Sequence, residues 1–121
     1  MKKRKLGNFE VGAMGLGCMD YSHGHGFPPP REESIRLMRL AYELGTTLFD
    51  TADAYADGHN ECLVGAALKP IRDKVILTTK YNPELRPVSN PEFGPVKDQI
   101  ESRLDDSLKR LDTDYIDIYY M

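Results

Sequence analysis

Lys74-Val75-Ile76-Leu77-Thr78-Thr79-Lys80 is the stretch on which the fold turns. Four of the five residues between its lysines are β-branched, and apolar and polar residues do not alternate, the pattern of a strand covered on both faces. Working outward, Thr46 to Asp50 and Tyr115 to Met121 read as strands of the same kind, bounded by turn residues. A helical pattern precedes each of the three. Glu32 to Leu44 places Ile35, Met38, Ala41 and Tyr42 on one side, with Gly45 as the C-terminal breaker. Asn60 is the expected N-cap of a helix from Glu61 to Lys69, ended by Pro70, with Leu63, Val64, Ala67 and Leu68 on one face. Pro95 to Leu111 carries Val96, Ile100, Leu104, Leu108 and Leu111 at three- and four-residue steps. Near the N-terminus, Leu6 to Glu10 and Val11 to Cys18 suggest a short hairpin running into a first strand at Met14 to Cys18. Strands alternating with helices predict a parallel α/β sheet with right-handed crossovers and helices outside. One domain is expected, with residues 1–13 as the hairpin and residues 14–121 as four strands and three helices.

Composition narrows the function. The 121 residues include 16 Lys and Arg against 19 Asp and Glu, a net charge of −3 that offers no basic surface to nucleic acid. The longest aliphatic run, Val75-Ile76-Leu77, is far short of the roughly 20 apolar residues of a membrane span. The basic opening Met1-Lys2-Lys3-Arg4-Lys5 is followed by Gly7-Asn8-Phe9-Glu10 rather than the apolar core of a signal peptide, so a cytoplasmic location is expected. Cys18 and Cys62 then read as reduced thiols.

In parallel α/β folds functional groups gather where strands end and loops begin. Asp50 closes one strand, Tyr55 follows five residues on, and Lys80 closes the next. A phenol is a weak acid at neutral pH unless a nearby cation favours its phenolate, and a desolvated lysine stays charged when a carboxylate holds it. The trio reads as a tuned general acid. Taken by position and residue type alone, an Asp–Lys pair at a sheet end is more commonly a satisfied ion pair.

Other segments yield blander readings. Gly12 to Gly17 has the order GxxGxG with no helix opening after it, which suits close backbone packing better than a dinucleotide loop. His23-Gly24-His25 lacks a third metal ligand and reads as a solvated loop, or one facing a substrate. Asp53, Asp57, Gly58 and Glu61 fail as a calcium loop because Tyr55 and Val64 occupy ligand positions. No metal site is expected. Lys2 to Lys5 read as a solvated arm, and Tyr115, Tyr119 and Tyr120 as part of a buried strand with polar tips. The loop Tyr81 to Gly94, rich in proline, is long enough to carry function.

Several of these stretches together resemble the N-terminal part of an aldo-keto reductase: Lys5-Leu6-Gly7-Asn8, Gly15-Leu16-Gly17-Cys18-Met19, Phe49-Asp50-Thr51-Ala52, Asn60-Glu61, Val75 to Lys80, and Ser107 to Asp117. The resemblance implies a (β/α)8 TIM barrel that moves a hydride from NADPH to a small-molecule carbonyl, with Tyr55 as acid, Lys80 as its cation and Asp50 as the partner of Lys80. It also places Gly17, Cys18, Met19 and Asp50 near the nicotinamide. Such barrels take about 250 residues, so the chain is expected to form roughly the N-terminal half. The family's fourth strand ends in a histidine that would follow Met121, and the loops that hold the cofactor's phosphates lie after strands seven and eight. A truncated chain, inactive alone, is therefore the expectation. The alternative is a non-catalytic half-barrel acting as a binding or assembly module, since unpaired strand edges invite self-association or a complementing C-terminal half. Asp20 and the loop Tyr81 to Gly94 depart from the family's pattern, which leaves the substrate open.

Overall fold

Phe49 on one strand and Leu77 on the next are almost fully buried, and the sheet is organised around them. The computed structural model describes residues 1–82 and 94–121. Strands β1 (Lys3–Leu6) and β2 (Phe9–Gly12) form an antiparallel hairpin in which Leu6 pairs with Phe9. Strands β3 (Leu16–Gly17), β4 (Leu48–Asp50), β5 (Ile76–Lys80) and β6 (Ile118–Tyr120) follow in a four-stranded parallel sheet in that order. Helices α1 (Arg31–Glu43), α2 (His59–Leu68) and α3 (Val96–Leu111) lie between consecutive sheet strands.

Alternation along each strand assigns its residues to two faces. Phe49 and Leu77 join Met38, Leu63, Val64, Ala67, Leu68 and Leu111 in a core between the sheet and the helices. Asp50, Thr78, Lys80 and Tyr120 share the opposite face, because Asp50 pairs with Thr78 and Lys80 with Tyr120 in register. A slip of one residue would exchange the faces, so burial of Phe49 and Leu77 fixes where the polar residues point. Among the described residues the strands are thus covered by helices on one face only. Leu48, Ile76 and Ile118 on the other face are half-buried, a correction to the expectation of strands buried on both sides.

Helices α1 and α3 begin and end within a residue of their expected bounds, and Gly45 terminates the first as expected, at φ +101°. The expected N-cap Asn60 is not one. The chain enters α2 through Ala56, Asp57 and Gly58, all at positive φ, and the helix starts at His59 without a side-chain cap. Gly58 is required there: φ is +87° and a Cβ would lie 2.6 Å from the Arg110 side chain. Asn60 is instead fully buried inside the first turn. Helix α2 does end at Leu68, just before Pro70 as expected, and the chain runs on through short 3-10 turns over Lys69–Lys74 that are broken at Ile71. The apolar stripe expected on α3 is half-buried at Ile100, Leu104 and Leu108 and exposed at Val96, whereas Gln99, Ser107 and Leu111 are the buried residues. The last strand is shorter than expected; just before it the Asp117 side chain accepts from the Leu77 N–H and Arg72 at 2.8 Å each, while its own N–H donates to the Leu77 carbonyl at 3.1 Å. The loop expected over residues 81–94 falls mostly on 83–93, outside the described residues.

Helices α2 and α3 meet at two points. Gly65 touches the backbone of Leu111 so closely that any side chain would collide with it. Beside that contact Glu61, with no solvent exposure, accepts from Arg110 Nε at 2.6 Å and from the Thr79 hydroxyl of β5 at 2.7 Å. A buried carboxylate without its cation is strongly destabilising, so Arg110→Met is expected to lower unfolding free energy by about 3–5 kcal/mol in a urea titration. A loss below about 1 kcal/mol, the range of an exposed pair, would contradict this role.

Candidate active site

Lys80 ends β5 with its ammonium turned back over the neighbouring strand. Its Nζ donates to Asp50 Oδ2 at 2.8 Å, to the Thr51 carbonyl at 2.9 Å and to the Tyr120 hydroxyl at 3.4 Å. Asp50 Oδ1 accepts from the Thr78 and Tyr120 hydroxyls, each at 2.5 Å. The chain leaving β4 is strapped to β5, with the Thr51 N–H on the Thr78 carbonyl and the Asp53 N–H on the Lys80 carbonyl, both at 3.0 Å. That strap carries Tyr55 to a position where its ring centroid lies 4.9 Å from Lys80 Nζ. The sequence-predicted trio Asp50, Tyr55 and Lys80 is therefore brought together. A cleft of about 390 Å³ opens beside it, lined by Ala52, Ala54, Tyr55, Lys80, Tyr81, Asn82 and Met121.

The charges in this cluster support one another. Burial opposes ionisation of Asp50, but hydrogen bonds from Lys80, Thr78 and Tyr120 outweigh it and hold the carboxyl below its usual range. Burial likewise opposes the charge on Lys80, and its bond to Asp50, helped by the nearby Tyr55 phenol, prevails, raising its pKa. The Asp50 contribution to stability is present above the ordinary carboxylate range and is lost as pH falls through the lowered value. The Lys80 contribution is present below the ordinary lysine value and is lost as pH rises through the raised one. The pair is intact throughout the neutral range. Burial, then the bond to Asp50, keeps the Tyr120 phenol protonated above the usual tyrosine value.

The other expected site residues divide. Gly17 is exposed next to this cluster, and a Cβ on it would meet nothing within 4 Å. Close packing holds instead at Gly12, where an added Cβ would collide with the Gly45 carbonyl, and at Gly15, where one would come within 3.1 Å of the Leu48 side chain. Met19 is half-buried in a short 3-10 turn. Cys18 ties its N–H to the Asp50 carbonyl at 2.8 Å, but its side chain is fully buried in the core. Its thiol is pushed up to about 12, by burial and then by the Asp50 charge. Only its backbone faces the site. Asn60 clamps this loop, donating to the Cys18 carbonyl at 2.8 Å and the Ser22 hydroxyl at 2.9 Å while accepting from Thr51 at 2.6 Å. His23 stands with its ring 5.8 Å from that of Tyr55, and His25 pairs with Asp20 rather than with a metal cluster, none of which occurs among the described residues. Thr78, Tyr120 and Asn60 escaped the sequence reading; the two-residue alternation back from Lys80 and across to the last strand is the signal that points to the first two.

A model of the Aldo/keto reductase family matches residues 13–121, and the chain belongs to that family. It is 38% identical over 125 residues to the protein named "Probable aldo-keto reductase 1" of Glycine max, covering 96% of this chain and 34% of that protein. To the aldo-keto reductase yakc [NADP(+)] of Schizosaccharomyces pombe it is 39% identical, over 98% of this chain and 35% of that one. Among solved structures, the holo form of an aldo-keto reductase from Bacillus halodurans superposes with a TM-score of 0.77 at 38% identity, covering 98% of this chain and 39% of that chain. A Klebsiella pneumoniae aldo/keto reductase in complex with NADP and acetate gives a TM-score of 0.73 at 32% identity, over 91% and 35%. The chain spans about a third of the length of the curated relatives it matches. The expected fold class, the first strands and helices of a TIM barrel behind a hairpin, is borne out.

Both cysteines are free, Cys18 buried and Cys62 exposed. A thiol reagent at pH 8 is expected to label Cys62 at once and Cys18 only on unfolding, as a raised thiol pKa and burial both withhold the thiolate. Labelling of both at equal rates in the folded chain would contradict the burial of Cys18.

Proposed function

We propose that this chain is the acid-bearing part of an NADPH-dependent reductase of aldehydes and ketones, in which Tyr55 gives its proton to the carbonyl oxygen. The observation that carries this reading is the Lys80 ammonium, held on Asp50 at 2.8 Å and set 4.9 Å from the Tyr55 ring centroid beside an open cleft. A fixed cation there stabilises the phenolate left behind on Tyr55, and Asp50 keeps Lys80 both charged and aimed. The cleft suits a small carbonyl compound. The residues present also fit the nicotinamide end of a dinucleotide: Gly17 offers exposed backbone with open space above it, and Met19 and the backbone of Cys18 adjoin it. NADPH, when bound, supplies the hydride. Gly17, Cys18 and Met19 would border its ring alongside Asp50.

No helix among the described residues is long and apolar enough to cross a membrane. The two free thiols support a reducing, cytoplasmic setting for this reading. The outer edges of β3 and β6 are the surfaces to which a complementing C-terminal half-barrel, or a second copy, would pair. A purely structural half-barrel has no need of a partly buried lysine beside a cleft, so the assembly-module reading is the weaker one.

The test mixes the chain with the C-terminal part of a relative's barrel and follows NADPH oxidation with an aldehyde. Turnover is expected in the mixture, with Tyr55→Phe lowering it about 10²- to 10⁴-fold, the usual contribution of a positioned general acid. Equal turnover with Tyr55→Phe, or none with the unaltered chain, would overturn the reading.

A further inference from the structure

The Lys80 ammonium has three N–H donors, and three oxygens accept from it. Asp50 Oδ2 at 2.8 Å and the Thr51 carbonyl at 2.9 Å take two. One is a carboxylate and the other backbone held in the strap between β4 and β5, so neither is readily displaced. The last N–H goes to the Tyr120 phenol, and a second phenol, Tyr55, stands close by. The Tyr120 hydroxyl lies 3.4 Å from Nζ, and the Tyr55 phenol is near enough to add to the support that Asp50 gives the Lys80 charge against burial. Their ring centroids lie 5.2 and 4.9 Å from the ammonium. Tyr120 spends its own proton on Asp50 Oδ1 at 2.5 Å, which leaves its oxygen lone pairs for Lys80 and closes a triangle of Asp50, Lys80 and Tyr120.

We propose that Tyr120 is a positioning residue that shares the third Lys80 N–H with Tyr55, keeping the ammonium oriented while Tyr55 is a neutral phenol and yielding that N–H as Tyr55 gives up its proton. This rests on the reading of Tyr55 as the proton donor. No proton leaves Lys80 in the exchange: one N–H changes its acceptor from a neutral phenol to a phenolate, the stronger acceptor of the two. Tyr120 keeps its proton on Asp50 throughout. The geometry suits the task, since Tyr120 sits directly across from Lys80 in the strand register and holds it through the weakest of the three bonds.

The sharing is read in the 121-residue chain itself, by NMR of its lysine ammonium groups with 15N labelling. An ammonium with all three N–H bonded exchanges slowly with water and gives its own signal, assigned here by its loss in Lys80→Met. The signal is expected in the unaltered chain, and in Tyr55→Phe and Tyr120→Phe with several-fold faster water exchange, because each leaves one phenol. It is expected to vanish in the double variant. Core methyl resonances check that each variant is folded, and should the double variant unfold, the exchange rates of the two single variants decide. Absence of the signal from the unaltered chain, its loss on either single substitution, its survival in the folded double variant, or an unchanged exchange rate in either single variant would overturn the proposal. Because the experiment needs no cofactor, failure of the reductase reading shows separately, as absence of turnover in the complemented mixture.

Discussion

The ion pair of Lys80 with Asp50, 2.8 Å across two neighbouring parallel strands, is the constraint on which the site depends. Partial burial works against both charges, and the pair persists because nearly every remaining donor and acceptor around it is filled. Thr78 and Tyr120 occupy one oxygen of the carboxylate, while the Thr51 carbonyl and Tyr120 share the ammonium. The result is a cation fixed at the C-terminal edge of the sheet, beside the one phenol that the strap after β4 delivers. In parallel sheets that edge is where loops converge and where ligands are met.

The opposite face of the same strands explains why the pair forms. Phe49 and Leu77 bury against the helices, and Thr79 reaches Glu61 on α2, which is in turn bound to Arg110 on α3. Those contacts hold β4 and β5 in a single register, and the register sends Asp50, Thr78 and Lys80 the other way. Hydrophobic burial on one face thus sets the electrostatics of the other. Asn60 extends the same logic sideways, tying the Cys18 to Ser22 loop to Thr51 and bringing the exposed Gly17 beside the pair.

Much of this was legible from residue order. The β-branched runs around Leu77 and Phe49, the helical spacing before each, and the polar residues closing both strands were enough for a parallel sheet and for the meeting of Asp50, Tyr55 and Lys80. What escaped was set by tertiary contacts. Asn60 has the chemistry of a cap, but the left-handed turn through Gly58 starts the helix without it and frees its amide for the core. Tyr120 reads in the sequence only as part of a buried strand with polar tips, because its pairing with Lys80 follows from where β6 begins. The Cys18 side chain faces the core, although its backbone neighbours the site, since alternation reverses direction at each residue.

The central claim is that Asp50 and Lys80 stabilise one another rather than merely lying close. A double-mutant cycle of Asp50→Asn and Lys80→Met, read as unfolding free energy of the 121-residue chain at pH 7, measures this most directly. Coupling of about 1–3 kcal/mol, falling away as pH drops below the carboxylate range, is the expected result. Additivity of the two substitutions to within about 0.5 kcal/mol at pH 7 would contradict it.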